Sequence, residues 1–264
     1  MRAPMPRFSA NLGFLWPDRP LIERIKAAAG AGFKAVELHF PYDVSASAVK
    51  ASCARNDVRL LGINTAIGEG TNGHRGLGAV AGREKEFQAL IDQSIAYARE
   101  AGGTSVHAMA GLAAEEDRAA GAEAFVGNLK AAARKAAPAG LTILLEPLNA
   151  HDMPGYFYTR VEEACEIIDR VGEPNVKLMF DAYHVARAEG DVLTRLKLFY
   201  DRIGHVQIAG VPSRAEPDEG EIAYGAVFAA LDELGYAGWV GCEYRPRAGT
   251  DEGLGWTKAL GVAL

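Results

Sequence analysis

Short apolar or β-branched runs recur eight times along this chain, and each is followed by a longer stretch rich in Ala, Glu and Arg. The runs lie near residues 8–12, 35–40, 59–64, 105–109, 142–146, 177–181, 205–208 and 240–244. Between them the spacing of apolar residues predicts helices over 21–29, 84–101, 122–137, 161–171 and 224–234, with Gly30, Gly102, Gly172 and Gly235 placed to cap four of them. Strands alternating with helices make a parallel sheet covered by helices. Eight such units in 264 residues average about 33 each, so the chain is expected to fold as α/β, a single (β/α)8 TIM barrel spanning 1–264 as one domain. A doubly wound open sheet is the rival. The residues after the first run, Asn11, Leu12, Gly13 and Phe14, lack its glycine-rich dinucleotide fingerprint, and no Pro- or Ser-rich linker divides the chain. The polar, Gly-rich segment 68–82 reads as an extended βα loop.

Composition narrows the partners. Hydrophobic residues at 49% supply a large core, whereas 28 Lys and Arg against 34 Asp and Glu give a net charge of −6 and no basic footprint for nucleic acid. No run approaches the eighteen or so apolar residues of a membrane span. Cys53, Cys165 and Cys242 form no CxxC pair and read as small buried hydrophobes in a reducing compartment. Pro4, Pro6, Ser9 and Asn11 interrupt any signal-peptide core, so a cytoplasmic location is expected. A homo-oligomer is allowed but not specified.

Barrels of this kind carry function at the C-terminal ends of their strands. Four successive runs end in polar residues: Ile143 to Leu145 lead into Glu146, Leu178 to Phe180 into Asp181, His205 and Val206 into Gln207, and Val240 to Cys242 into Glu243. Their intervals of 35, 26 and 36 residues are each close to one βα unit, so the four side chains should converge on one rim. Three carboxylates meeting there repel one another unless a cation lies between them. Hard oxygen donors suit Mg²⁺ or Mn²⁺ better than zinc. Each residue taken singly is equally well a polar strand terminus; four in succession favour the metal.

The stretches Phe8-Ser9-Ala10-Asn11-Leu12, Phe40-Pro41-Tyr42-Asp43, Glu146-Pro147-Leu148-Asn149, Asp181 with Tyr183 and His184, Gly204-His205 with Gln207-Ile208-Ala209, Gly220-Glu221-Ile222 and Gly241-Cys242-Glu243-Tyr244 resemble hydroxypyruvate isomerases of the xylose isomerase-like barrel superfamily. The resemblance covers nearly the whole chain. It implies that Glu146, Asp181, Gln207 and Glu243 bind the metal and that Glu146 and Glu243 exchange the proton. Chemistry agrees: moving a proton between adjacent carbons of an α-hydroxy carbonyl needs a base, an acid, and positive charge on the enediolate oxygens.

The same resemblance makes His184 a hydrogen-bonding partner of a substrate oxygen and Arg214 a substrate clamp, a guanidinium being well matched to the carboxylate of a 2-oxo or 2-hydroxy acid. Asp152 stands where related epimerases carry a substrate-binding acid, although a loop cap is nearly as plausible. Glu69 and His107 follow the third and fourth runs as candidate pocket residues. Glu37 and His39 fall in the second run, with pocket-lining and buried roles equally open.

The chain departs from the family where Gly210 and Val211 replace a frequent Asp-Asn pair and where Glu69 to Gly73 replace an Asp-Trp loop. Both differences lie on the substrate side. The expected reaction is interconversion of hydroxypyruvate and tartronate semialdehyde, with isomerisation of a four-carbon 2-oxo-tetronate as the alternative. A sugar 3-epimerase is disfavoured by Gln207 in place of histidine. A repair endonuclease is disfavoured by six scattered histidines and an acidic charge balance. A binding barrel without turnover is the remaining rival.

Overall fold

In a computed structural model describing residues 6–69 and 75–264, nine strand segments form one all-parallel sheet in the order β3-β2-β1-β9-β8-β7-β6-β5-β4. The strands are β1 Arg7–Asn11, β2 Ala35–Glu37, β3 Arg59–Leu60, β4 Gly62–Asn64, β5 Ser105–His107, β6 Thr142–Leu145, β7 Val176–Asp181, β8 Ile203–Ile208 and β9 Trp239–Cys242. The two edge segments, β3 and β4, are one strand interrupted at Leu61. That residue donates its N–H to Val36 O at 2.9 Å, and its carbonyl accepts from the N–H groups of Thr104 and Ser105 at 2.8 and 2.9 Å. Leu61 thus hands the pairing from one neighbour to the other. Eight strands close into the expected barrel, and closure leaves no exposed edge.

Helices α1 Leu21–Gly30, α2 Ala46–Arg55, α3 Glu84–Ala101, α4 Arg118–Ala136 and α5 Val161–Val171 wrap the first half, followed by α6 Ala182–Ala188, α7 Val192–Leu198, α8 Tyr224–Glu233, α9 Thr250–Gly253 and α10 Trp256–Ala259. Sequence explains the long ones. In α3 the buried residues Phe87, Ile91, Ser94, Ala98 and Ala101 recur every three or four positions, Glu84 and Glu86 sit in the first turn, and Gly102 ends the helix in a left-handed conformation at φ +84°. Helix α5 repeats the pattern with Val161, Ala164, Cys165, Ile168 and Val171 buried. Gly30, expected as a cap, is instead the last residue of α1, and the left-handed residue there is Gly32. Helices α6 and α7 are only seven residues each, and α2 buries the small residues Ala46, Val49, Ser52 and Cys53, so none of the three carries a strong apolar repeat.

The second run was expected to stay a strand through Phe40, but β2 ends at Glu37. Pairing continues irregularly beyond it, from Leu38 N–H to Gly62 O and from Asn64 N–H to His39 O. Of the extended 68–82 loop, residues 70–74 lie outside the described residues. The part from Gly76 packs over β5, where Ala79 N–H reaches Ala110 O at 2.7 Å and Asn128 donates to Gly78 O. No described helix is long and apolar enough to cross a membrane.

Candidate active site

The C-terminal rim gathers the polar strand ends. Asp181 closes β7, Gln207 lies in β8, and Glu146 and Glu243 directly follow β6 and β9; all four are buried. Glu146 Oε1, Asp181 Oδ2 and Gln207 Oε1 are buried oxygens with no hydrogen-bond donor. Three acceptors left bare in one place call for a positive partner, because an unmet buried polar atom otherwise costs about 1–3 kcal/mol.

Their electrostatics differ. Burial pushes the Glu146 carboxyl well above the ordinary range, and the neighbouring Glu243 and Asp181 add to it. Burial likewise raises Asp181 to about 7, against the pull of Arg214. Glu243 goes the other way: burial would raise it, yet His39 Nε2 at 3.1 Å and the Arg214 guanidinium at 3.3 Å hold it below the usual value. One glutamate is thereby biased toward the acid form and the other toward the base.

Glu146, Asp181 and His184 form a cluster able to hold a metal ion, with one donor atom of each inside 4.8 Å of the others. Hydrogen bonding assigns the histidine a different task. His184 Nδ1 accepts from the backbone N–H of Asn149 at 3.1 Å and lies 2.7 Å from the Asn149 side-chain nitrogen, so its proton must sit on Nε2. That N–H points between Glu146 Oε1 and Asp181 Oδ2, 3.7 Å from each. Burial holds the ring's pKa well below its ordinary value, with Arg214 and His107 acting in the same direction, so the ring is neutral and a donor.

Beneath the rim lies a second polar layer. Glu37, at the end of β2, accepts from Ser9 Oγ at 2.5 Å and from Gln207 Nε2 at 3.0 Å, with His205 Nε2 also 3.0 Å away. Burial would raise the Glu37 carboxyl, but these partners hold it below the usual value, and the same pairing holds His205 above its own. A carboxylate only accepts, so Gln207 must turn its NH₂ toward Glu37 and its bare Oε1 toward the site. Gly241 makes the layer fit: a Cβ at that position would overlap the Glu37 carboxylate and crowd Gln207.

Above the rim a cavity of about 320 Å³ is lined by Phe14, His39, Asn64, Arg75, His107, Glu146, Asp152, His184, Arg214, Glu243 and Arg245, among others. Arg214 is buried in it with a left-handed backbone at φ +57°, a conformation costing about 1–3 kcal/mol that the loop pins with Arg214 N–H on Gly210 O and Arg245 N–H on Arg214 O, both 2.7 Å. Its guanidinium stands 3.3 Å from Glu243, 3.6 Å from Asp152 and 3.7 Å from Asp181, against the faces of Phe14 and Tyr183. Asp152 also accepts from Tyr183 OH at 2.9 Å. His107, 3.4 Å from Glu146 and 3.3 Å from Asn64, is depressed to about 4 by burial.

The structure thus brings together Glu146, Asp181, Gln207, Glu243, His184, Arg214, Asp152 and His107. It does not bring in Glu69. That residue is exposed, its N–H and carbonyl are bound by Glu86 and Arg83, and it stands five residues past the strand end, where Asn64 faces the cavity instead.

A model of the xylose isomerase-like TIM barrel matches residues 25–260. The chain belongs to that family. Within it, the chain is 47% identical over 255 residues to a 2-oxo-tetronate isomerase of Cupriavidus necator, covering 96% of this chain and 98% of that one. It is 37% identical over 257 residues to a hydroxypyruvate isomerase of Escherichia coli, with the same coverage. A solved family structure, described as an AP endonuclease, family 2, from Brucella melitensis, superposes with a TM-score of 0.93 at 42% identity, over 96% of this chain and 98% of that one. The family barrel accounts for the placement of all four polar strand ends on one rim.

Asn149, His205 and Arg245 contribute to the site although the sequence assigns them no role there, and the structure decides the roles left open for Glu37 and His39. Glu37 and His39 stand at i and i+2 in an apolar run, which places both on the same face of a strand.

Proposed function

We propose that this chain is a divalent-metal-dependent isomerase that moves a proton between adjacent carbons of a short 2-oxo or 2-hydroxy acid, interconverting hydroxypyruvate and tartronate semialdehyde. The observation that carries the reading is the trio of bare, buried oxygens on Glu146, Asp181 and Gln207 beside a second glutamate held ionised. These oxygens, with Glu243, fit Mg²⁺ or Mn²⁺, and an ion bound there would polarise the substrate's carbonyl and neighbouring hydroxyl. Glu243, ionised beside His39 and Arg214, takes the proton from carbon. Glu146 returns a proton to the adjacent carbon, and the hydroxyl proton passes from the oxygen that becomes the carbonyl to the oxygen that becomes the hydroxyl. His184 Nε2–H donates to a substrate oxygen, and Asn149 keeps that proton in place. Arg214 keeps the carboxylates from repelling one another and faces the substrate. The net charge of −6 supports a small-molecule site over a nucleic-acid one.

A second reading keeps the mechanism and takes a four-carbon 2-oxo-tetronate. It is favoured by the higher identity to the Cupriavidus necator relative than to the Escherichia coli one. Solvent-deuterium exchange, followed by NMR with Mg²⁺ or Mn²⁺ present, tests both. Incorporation next to the carbonyl of hydroxypyruvate or of a 2-oxo-tetronate is expected, and their relative kcat/KM decides chain length. No exchange into either acid removes the isomerase reading.

A further inference from the structure

Arg214, the arginine nearest the reacting groups, has little charge left to offer. It lies within 3.7 Å of Glu243, Asp152 and Asp181, and its charge is matched before any substrate arrives. Two other arginines line the same cavity, and neither has an acid partner among the described residues: Arg245 and Arg75. Arg245 follows Glu243 by two residues, past the end of β9, and is an exposed member of the cavity lining. Its position is fixed twice, by the 2.7 Å bond from its N–H to Arg214 O and by its guanidinium 5.4 Å from the Phe14 ring centroid. Arg75 is half-buried in the cavity wall.

A substrate carboxylate gains nothing against the ionised Glu243, which shares its sign, or against the buried acids Glu146 and Asp181, which offer it no positive charge. Its favourable position lies away from the acids, toward cations that are free to pair. We propose that Arg245, assisted by Arg75, binds the carboxylate of the acid substrate and so selects 2-oxo acids over neutral ketoses and aldoses. Arg214 organises the carboxylates. This inference rests on the isomerase reading for its substrate class, but its recognition step is separable from turnover.

Hydroxypyruvate and dihydroxyacetone form the test pair, since they differ only in a carboxylate replaced by CH₂OH. Calorimetric binding and deuterium exchange are measured for the Mn²⁺-loaded wild type, Arg245→Gln, Arg75→Gln and Arg214→Gln. The wild type should bind hydroxypyruvate more tightly than dihydroxyacetone. Arg245→Gln should raise Kd and KM for hydroxypyruvate by about 10- to 100-fold, the loss of a charge-assisted pair, with kcat and dihydroxyacetone binding within about twofold of wild type. Arg75→Gln should show the same selectivity loss to a smaller degree, and Arg214→Gln should depress both compounds alike. Equal losses on both compounds in Arg245→Gln, or no loss on either, overturn the proposal. A wild type without preference for the acid overturns it as well. Preserved preference without proton exchange in the wild type would remove the isomerase reading and leave the carboxylate site standing.

Discussion

The two ends of the barrel invert the usual relation between cavity size and chemistry. At the N-terminal end a cavity of about 620 Å³ is lined by Arg7, Lys50, Cys53, Arg59, Thr104 and Ser105, among others, about twice the volume of the one over the rim. Its Thr104 and Ser105 hydroxyls donate to Leu61 O, and Arg7 donates to Ala237 O while lying over the Trp239 ring. Its thiol, Cys53, is pushed up to about 11 by burial and is inert. The smaller cavity instead holds carboxylates whose pKa values are driven apart and oxygens without donors. Unmet demand among buried polar atoms, more than space, marks the end that does chemistry.

The largest separation between the two ends should come from Glu243→Gln, which removes the base at a rim position carrying little of the core. Deuterium exchange is expected to fall about 10²- to 10⁴-fold with the melting temperature nearly unchanged, whereas Arg59→Gln at the other end should leave both alone. Near-normal exchange in Glu243→Gln would erase the distinction. Asp181→Asn should abolish most Mn²⁺ affinity, read by titration calorimetry. Glu37→Gln should weaken it by about 10- to 100-fold, because Gln207 loses the acceptor that aims its oxygen. An unchanged affinity in Glu37→Gln would show that the second polar layer does not orient the first.

A pH effect follows from Asp181 and Glu146. Their folded pKa values lie above the ordinary 3.8 and 4.5, so the stability they contribute is complete below those ordinary values and is lost as pH rises, for Asp181 through about 7 and for Glu146 through its own raised value. Glu243 and Glu37 are shifted down, and their contribution is lost only in more acidic solution. Metal-free protein should therefore melt at lower temperature at pH 8 than at pH 5, and Mn²⁺ should shrink that difference. A flat profile would mean that the rim acids are not in tension. The smallest effect is expected from Cys53→Ala, a modest loss of packing with no change in exchange.

The barrel and the four rim residues were legible because both are written locally. An apolar run of four or five residues ending in Glu, Asp or Gln carries its own placement, and βα spacing supplies the rest. Contacts made by barrel closure are not written that way. His39 and Glu243 are 204 residues apart and meet only because β2, β1 and β9 are neighbours. Asn149 fixes the His184 proton across 35 residues through a backbone N–H, a donor that every residue except proline carries and no motif reveals. Arg214 was found by resemblance, but that its charge would be matched by Glu243, Asp152 and Asp181 depends on distances between three loops. Glu69 lies away from the rim for the opposite reason: it follows a strand in sequence, but the loop carries it outward to Glu86 and Arg83.

Gly241 brings no functional group to the site, yet its missing side chain is what admits the Glu37 carboxylate under Gln207. A saturation library scored for turnover should therefore record position 241 as intolerant as the ligands themselves. Selection on such a barrel guards an empty volume as strictly as a charge, and a search for active-site positions restricted to reactive side chains would pass over it.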